Sequence, residues 1–181
     1  MIFQYYIFED IYNQEELKEI NDVLDSNKSN LYDGPAPGVI KTSKVDLVLW
    51  KNCKKILNKM YQYSVRANEI AFGFSLFNYG EENAVNYNLY NEKNSGEYGW
   101  HSDMNVHLAS DFKLTAILNI SEESFKGGEF DLFVNGEMNI PRIDKPGSLL
   151  VFPTFTMHRV RPVTQGVRKT VSMWLSGPKF I

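Results

Sequence analysis

The chain is poor in cysteine, in long apolar runs and in positive charge, and each shortage excludes a class of protein. Its 181 residues include one cysteine, Cys53, so an internal disulfide framework is excluded and a reducing compartment is expected. No apolar run is long enough to span a bilayer, and residues 1–10 lack the basic segment of a signal peptide. We therefore expect a cytoplasmic protein without a membrane partner.

The charge balance is slightly acidic. The formal net charge of −3 lacks the basic excess that is typical of a dedicated nucleic-acid-binding domain. Nucleic acid is therefore a disfavoured partner, whereas a peptide, a protein or a small amino-acid-like molecule fits the composition. The sequence gives no indication of the oligomeric state.

The first third of the chain has the patterns of a short strand and two helices. Residues 2–8 are apolar and predict a strand. Asn13 and Glu16 have the spacing of a capping box and predict a helix that ends near residue 26. A second apolar stripe at helical spacing predicts a helix over about 49–66. We expect both helices to brace one sheet.

From Glu69 onward, apolar residues alternate with polar ones, as in half-buried strands. Asn135-Gly136 predicts a hairpin between two of these strands. Strands are predicted at 70–76, 85–90, 114–120, 129–134, 137–140, 148–152 and 168–175, with a further one around His158. The predicted fold is α+β and mainly β. It is a double-stranded β-helix, or jelly roll, braced by N-terminal helices.

This pattern predicts one domain over 1–181. Its length and 43% hydrophobic content are enough for a substantial core, and no repeat or linker divides it. Within the domain, 1–68 is predicted to be a helical support region and 69–181 the jelly-roll core.

The stretch Tyr98-Gly99-Trp100-His101-Ser102-Asp103 contains a pair of potential metal ligands. Residues two apart lie on the same side of an extended strand, so His101 and Asp103 can serve one metal ion. His158, in a later apolar run, is the candidate third ligand. Two histidines and one carboxylate form the facial triad typical of non-heme Fe(II) sites, which leaves coordination positions open.

Each of these assignments has an alternative. A single histidine in an apolar strand is more often structural than a ligand, and only the coincidence with His101 and Asp103 favours ligation by His158. His107 is the rival third ligand, but its surroundings resemble a loop, so we assign it to the surface or the substrate side.

Arg168 opens a later predicted strand on which Thr170 and Ser172 share its face. A fixed guanidinium can bind a carboxylate through two hydrogen bonds, which makes Arg168 the candidate for an anionic ligand. Arg159 and Arg161 are its rivals. They crowd His158 and precede the strand-ending Pro162, so we predict them to be solvated charges.

In combination, the strings YGWHSD and HRVRPVTQGVRKTVSMW resemble the 2-oxoglutarate/Fe(II) oxygenase superfamily, in its prolyl 4-hydroxylase-like branch. The bacterial PKHD-type hydroxylases are similar in the same strings. The resemblance covers roughly the C-terminal two thirds, from about Phe72. The chain departs from it at Thr154 and Phe155, where small residues are common in the family.

The resemblance implies Fe(II), 2-oxoglutarate and O₂ as cofactor and co-substrates, with ascorbate as a further candidate. It implies that His101, Asp103 and His158 bind the metal and that Arg168 holds the distal carboxylate of 2-oxoglutarate. Further co-substrate contacts are assigned to Tyr90 and Thr170, to Asn119 as a weaker contact and to Trp174 as a wall of the site, with Tyr98 at its mouth.

The implied reaction is hydroxylation of a C–H bond coupled to decarboxylation of 2-oxoglutarate to succinate and CO₂. The implied substrate is a prolyl residue of a peptide or protein, and the asparagine-rich residues 83–94 are predicted to form a lip over an extended chain. The alternatives are a free amino acid or small metabolite, an alkylated nucleobase, which the charge disfavours, and a non-catalytic iron-binding jelly roll.

Overall fold

The computed structural model describes residues 4–29, 38–104 and 110–180. Helix α1 (Gln14–Asn27) begins at the predicted capping box, where the Asn13 side chain accepts from the Glu16 amide and the Glu16 carboxylate accepts from the Asn13 amide. Helix α2 (Trp50–Ala67) is also confirmed. No helix in the described ranges is long and apolar enough to cross a membrane.

Twelve strands are found among the described residues. In chain order they are β1 (Tyr6–Phe8), β2 (Lys44–Leu49), β3 (Ala84–Asn91), β4 (Tyr98–His101), β5 (Asp111–Asn119), β6 (Lys126–Gly127), β7 (Phe130–Phe133), β8 (Glu137–Asn139), β9 (Leu149–Pro153), β10 (His158–Val160), β11 (Val163–Gln165) and β12 (Val167–Gly177).

The strands form two main sheets and one small ribbon, and all pairings are antiparallel. The larger sheet has the order β1-β9-β5-β12-β3-β2, the smaller has the order β4-β10-β7-β8, and β11 pairs with β6. The chain crosses repeatedly between the two sheets, for example from β9 to β10 and back to β12. This arrangement is the expected double-stranded β-helix.

Alternation along the strands divides the core into two parts. Val171, Met173 and Leu175 of β12 belong to a cluster that also contains the apolar faces of α1 and α2. The intervening residues of β12 face the smaller sheet, where a second cluster includes Phe130, Phe152 and other apolar side chains. The helices therefore brace the outer face of the larger sheet, as predicted, and leave its inner face for the site.

The strand predicted at 70–76 is wrong. Helix α2 continues into a π-helical turn, Asn68–Phe72, and residues 73–80 follow without regular secondary structure. The Asn68 side chain explains the change of direction, because it donates to the Phe74 carbonyl at 2.8 Å and accepts from the Phe74 amide at 2.9 Å. Phe72, Phe74 and Leu76 of this stretch pack on the helix-side core without joining a sheet, whereas Ile70 is exposed.

Two strands of the larger sheet come from residues before 69, so the sheet is not confined to the predicted core region. β2 pairs with β3 over its whole length, and β1 pairs with β9 at the other edge. The β7–β8 hairpin is confirmed, with Phe133 opposite Glu137 and a three-residue turn in which Asn135 has a positive φ of 55°.

Candidate metal and co-substrate site

The two sheets bring the three predicted metal ligands together. His101 ends β4 and His158 begins β10, and the two residues are directly opposite each other in the sheet register. Asp103 follows β4, and its amide donates to the Thr154 carbonyl at 3.0 Å. One ligand atom from each of the three side chains lies within 4.8 Å of the others, which is close enough for a shared metal ion.

Backbone hydrogen bonds orient both imidazoles. Nδ1 of His101 lies 2.8 Å from the Gly99 carbonyl oxygen, and Nδ1 of His158 lies 3.0 Å from the Thr156 carbonyl oxygen. A protonated Nδ1 that donates to a carbonyl leaves the lone pair on Nε2 for a metal. The Nε2 atoms face Asp103, at 3.6 Å from Oδ1 for His101 and 3.4 Å from Oδ2 for His158.

The environment of His101 favours its neutral form. Burial, followed by the neighbouring His158, lowers the pKa of His101 to about 4, although Asp103 and the Gly99 carbonyl oppose this shift. A neutral imidazole is the form that binds metals. Two imidazole nitrogens and one carboxylate fit a divalent first-row metal with open coordination positions, and Fe(II) is the usual occupant of such a set.

A threonine that carries no sequence motif supports the carboxylate. The hydroxyl of Thr115, which is fully buried on β5, donates to Asp103 Oδ2 at 2.8 Å. Hydrogen bonds of this kind hold a ligating carboxylate in one orientation. Sequence reasoning missed Thr115 because its position on a strand shows neither its partner nor its distance from Asp103.

A cavity of about 140 Å³ adjoins the triad between the two sheets. Its wall combines polar side chains, among them two asparagines of β3, with apolar and aromatic ones. The residues that line it are Lys41, Asn86, Asn88, Tyr90, Tyr98, His101, Asp103, Ile117, Phe130, His158, Val160, Ser172 and Trp174. The structure therefore places two predicted co-substrate contacts, Tyr90 and Trp174, on the wall of the same cavity as the triad.

Arg168 lies behind Tyr90 and is completely buried. The two residues are opposite each other on β12 and β3, and the guanidinium carbon is 5.4 Å from the Tyr90 ring centroid. Its Nε and Nη2 atoms have no hydrogen-bond partner, and burial lowers the pKa of Arg168 against the opposing effects of Tyr90 and Asp144. A buried, incompletely paired cation is costly, so this arrangement fits a residue that binds an anionic ligand.

A glycine gives the Arg168 stem its space. Gly128 has a φ of +69°, and a Cβ built there would lie 3.0 Å from Cδ of Arg168 and 2.9 Å from Cγ2 of Val163. Any side chain at this position would thus strain the backbone and press on the arginine.

The other predicted co-substrate contacts have different surroundings. The Thr170 hydroxyl is 3.4 Å from Nδ2 of Asn88, a residue of the cavity wall. The structure does not support a contact by Asn119, because its amide donates to the Ile143 and Asp144 carbonyls and accepts from the Ser121 amide. These bonds fasten β5 to the neighbouring turn.

Arg159 and Arg161 are partly exposed, as expected for solvated charges, but they are also ion-paired, which the sequence did not indicate. Both donate to the buried carboxylate of Asp131, at 2.8 and 2.7 Å, and both reach Glu137. The guanidinium carbon of Arg159 also lies 4.7 Å from the Trp100 ring centroid. This pairing removes them as rivals of Arg168. The remaining rival assignment, His107, lies outside the described residues.

Lys41 is a further residue that the sequence did not indicate. Its ammonium group lies 3.9 Å from the Tyr98 ring centroid, and its side chain lines the cavity. Burial lowers the pKa of Lys41 to about 8, with Asp103 acting in the opposite direction. No local pattern marks this lysine, because its place at the site depends on how residues 40–42 run beside β4.

The site geometry agrees with comparisons to known proteins. The model of the 2OG-Fe(II) oxygenase superfamily matches residues 85–176, about half of the chain. A PKHD-type hydroxylase of Aliarcobacter butzleri is 33% identical over 93 residues, which are 46% of this chain and 39% of that protein. A PKHD-type hydroxylase of Stenotrophomonas maltophilia is 36% identical over 90 residues, 44% of this chain and 38% of its own length.

Solved structures share the fold at low sequence identity. A prolyl-4-hydroxylase of Pseudomonas putida has a TM-score of 0.69 and 16% identity, with 95% of this chain and 91% of that chain covered. A prolyl hydroxylase of Trichoplax adhaerens, in complex with a hypoxia inducible factor peptide fragment, has a TM-score of 0.68 and 15% identity, with 95% and 83% covered.

The family match begins at β3 and ends within β12, so it includes the triad, Tyr90 and Arg168. The PKHD-type relatives are matched over well under half of their own length, so the match extends to the family and not to their whole activity. The chain belongs to the 2-oxoglutarate/Fe(II) oxygenase superfamily, and its fold is similar to that of prolyl 4-hydroxylases.

Proposed function

We propose that the protein is an Fe(II)- and 2-oxoglutarate-dependent dioxygenase that hydroxylates a prolyl residue of a peptide or protein. One observation carries the proposal. A His-Asp-His triad lies beside a cavity between the two sheets, and a buried arginine with unpaired nitrogens lies on the facing sheet next to Tyr90, a residue of the cavity wall. Such a site fits a metal at one end and a dicarboxylate that reaches from it to the arginine.

The proposed roles follow from the geometry. His101, Asp103 and His158 would hold the metal, and Arg168 would bind the distal carboxylate of 2-oxoglutarate beside Tyr90. Bound Fe(II) and 2-oxoglutarate would supply the chemistry, in which O₂ gives one oxygen atom to the substrate C–H bond and one to succinate as CO₂ leaves. Because Asp103 is a carboxylate ligand, it occupies the position that a halide would need, so hydroxylation is favoured over halogenation.

Apolar side chains of the protein limit the access of water to part of the cavity. Ile117, Phe130 and Val160 make part of the cavity wall apolar, and Phe152 packs against the His158 ring with centroids 4.9 Å apart. Exclusion of water strengthens the electrostatic interactions between the site and a charged co-substrate.

The peptide substrate is supported by resemblance. Several solved neighbours are prolyl hydroxylases, and one of them is bound to a peptide. The prediction of a lip over residues 83–94 is wrong, because most of this stretch is strand β3, which lies between β12 and β2 inside the larger sheet. Asn86 and Asn88 of this strand line the cavity. The cytoplasmic location and the use of ascorbate are parts of the same proposal.

Oxygenase activity is tested by release of CO₂ from labelled 2-oxoglutarate in air, with Fe(II) and ascorbate and without any substrate. We expect slow, uncoupled turnover in the wild type and none in a His158→Ala variant. The Lys55→Gln variant, at an exposed position of α2, is the control for protein preparation and assay. Protein that holds iron but releases no more CO₂ than His158→Ala would support the non-catalytic iron-binding alternative.

The substrate is tested by mass spectrometry of proline-containing peptides beside free proline, other amino acids and alkylated oligonucleotides. We expect a peptide to gain one oxygen atom in a reaction that needs 2-oxoglutarate. Oxidation of a free amino acid alone would replace the peptide assignment with a small-molecule one, and consumption of the oligonucleotide alone would contradict the inference from charge.

A further inference from the structure

Lys41 is held at the cavity by the backbone on both sides. The Gly99 amide donates to the Ile40 carbonyl at 2.8 Å, and the Thr42 amide donates to the Glu97 carbonyl at 3.1 Å. Lys41 itself forms an isolated antiparallel bridge with Tyr98. The segment 40–42 therefore runs as an extra strand-like edge beside β4, and the direction of the Lys41 side chain is fixed by that pairing.

The ammonium group lies one aromatic ring away from a metal ligand. Its nitrogen is 3.9 Å from the Tyr98 ring centroid, and the same ring stacks on His101 at 3.5 Å with an interplanar angle of 17°. A cation over an aromatic face is held in place by the ring quadrupole. Lys41 thus presents a positive charge close to the metal position while remaining outside the ligand set.

The charges around the cavity indicate what this cation can bind. Asp103 is the one carboxylate among the described lining residues, and it is assigned to the metal. Arg168, behind Tyr90, is assigned to the co-substrate. The remaining polar groups of the wall, Asn86, Asn88 and Ser172, are uncharged.

We propose that Lys41 forms a carboxylate-binding subsite for the molecule that is hydroxylated. The carboxylate comes either from an acidic side chain next to the target residue of a peptide or from the α-carboxylate of a free amino acid. The proposal rests on the proposed oxygenase function and adds a requirement for a negative charge on the substrate. An ammonium has three donors, so it can bind an incoming carboxylate in addition to its contacts within the chain.

The test uses calorimetry under nitrogen on full-length protein loaded with Mn(II) and 2-oxoglutarate. Two pairs of probes differ only in one carboxylate. Acetyl-Pro-Asp-amide against acetyl-Pro-Asn-amide represents the acidic side chain, and L-proline against L-prolinamide represents the α-carboxylate. We expect the wild type to prefer the anionic member of one pair by roughly 10-fold or more, as for a charged hydrogen bond.

Three variants test whether Lys41 causes the preference. Lys41→Gln should abolish it, Lys41→Arg should keep it in part, and the control Lys55→Gln, at an exposed position of α2 outside the cavity lining, should keep it fully. The pair that shows the preference identifies the source of the carboxylate. If Lys41→Gln loses the preference but still binds the neutral probe, the variant has lost a charge contact and its site is still folded.

Several results would overturn the proposal. One is a wild type that shows no preference or does not bind the anionic probe. Another is an undiminished preference in Lys41→Gln. A third is a loss of 2-oxoglutarate affinity in Lys41→Gln, which would assign the lysine to the co-substrate. If the oxygenase proposal is wrong, no CO₂ is released from 2-oxoglutarate, in an assay that contains none of these probes. The two failures are therefore distinguishable.

Discussion

The Thr115 hydroxyl controls the orientation of Asp103 by a single hydrogen bond of 2.8 Å to Oδ2. Without this hydrogen bond, the carboxylate would rotate more freely between His101 and His158. Metal affinity would fall, because binding would then have to fix the orientation of the carboxylate. Partners of ligating side chains commonly contribute about 10- to 100-fold to metal affinity. We therefore infer that Thr115 is a positioning residue, which would act on a bound metal through Asp103.

We predict that Thr115→Val weakens metal binding about 10-fold, because valine keeps the shape and lacks the donor. Calorimetric titration with Mn(II) under nitrogen measures the change directly. Thr115→Ser keeps the hydroxyl and is the matched control, which should bind the metal nearly as the wild type does. Equal affinity in Thr115→Val and the wild type would show that Asp103 is held by other contacts.

Arg168 gives a second prediction at this scale. Arg168→Met should weaken 2-oxoglutarate binding by at least roughly 30-fold and leave metal binding in place, because we propose that the residue binds the distal carboxylate and not the metal. The control is Arg161→Ala, whose guanidinium pairs with Asp131 and Glu137 instead. Unchanged 2-oxoglutarate affinity in Arg168→Met, or lost affinity in Arg161→Ala, would mean that the wrong arginine is assigned.

At the scale of elements, the junction after α2 shows how one side chain redirects the chain. The Asn68 amide is bonded at both ends to the backbone of Phe74 and is 7% exposed. It closes the loop that carries the chain from the helix layer toward the sheet.

We predict that Asn68→Ala lowers the free energy of unfolding by about 2 kcal/mol, from two lost hydrogen bonds and two backbone groups left without partners. Urea denaturation followed by circular dichroism measures this loss. Asn58→Ala, at an exposed position of the same helix, should change stability by less than about 0.5 kcal/mol. A small effect of Asn68→Ala would mean that water replaces the amide in the junction.

Elements were predictable wherever a local pattern was strong. The capping box at Asn13 and the alternation in β3 and β12 depend on nearest neighbours along the chain, and the structure confirms all three. The stretch 70–76 also alternates, but the two Asn68 bonds and packing on the helix-side core determine its path. β2 was missed because it passes directly into α2, without a turn to mark its end.

At the scale of the whole molecule, the helix layer shields the one cysteine from solvent. Cys53 lies on the inner side of α2, is 1% exposed, and its sulfur is 3.5 Å from the Leu49 carbonyl oxygen. Burial raises the pKa of Cys53 to about 12, so the reactive thiolate is scarce at neutral pH in the folded protein.

We predict that a disulfide reagent such as dithionitrobenzoate leaves the native protein unmodified and modifies one thiol per chain in concentrated guanidinium chloride. Absorbance of the released thiolate measures both reactions. Because the thiol is exposed only when the helix layer opens, the rate in the native state should rise with urea in parallel with unfolding. Rapid modification without denaturant would contradict the packing of α2 on the sheet.

The sequence by itself determined which side chains are candidate metal ligands, where the two helices lie and where most of the strands lie. His101 and Asp103 are two residues apart, and the alternation of β12 placed Arg168, Thr170 and Trp174 on one face, so local geometry was enough to group them. These features follow from backbone periodicity, which a linear sequence records.

Only the tertiary structure decided which groups meet across the barrel. The pairing of β4 with β10 sets His101 opposite His158, and the packing of the two sheets places Tyr90, the neighbour of Arg168 in the β3–β12 pairing, on the same cavity as the triad. Thr115, Lys41 and the Asp131 pairs depend in the same way on contacts between distant segments. Register and sheet packing are cooperative properties of the whole core, so no short stretch of sequence specifies them alone.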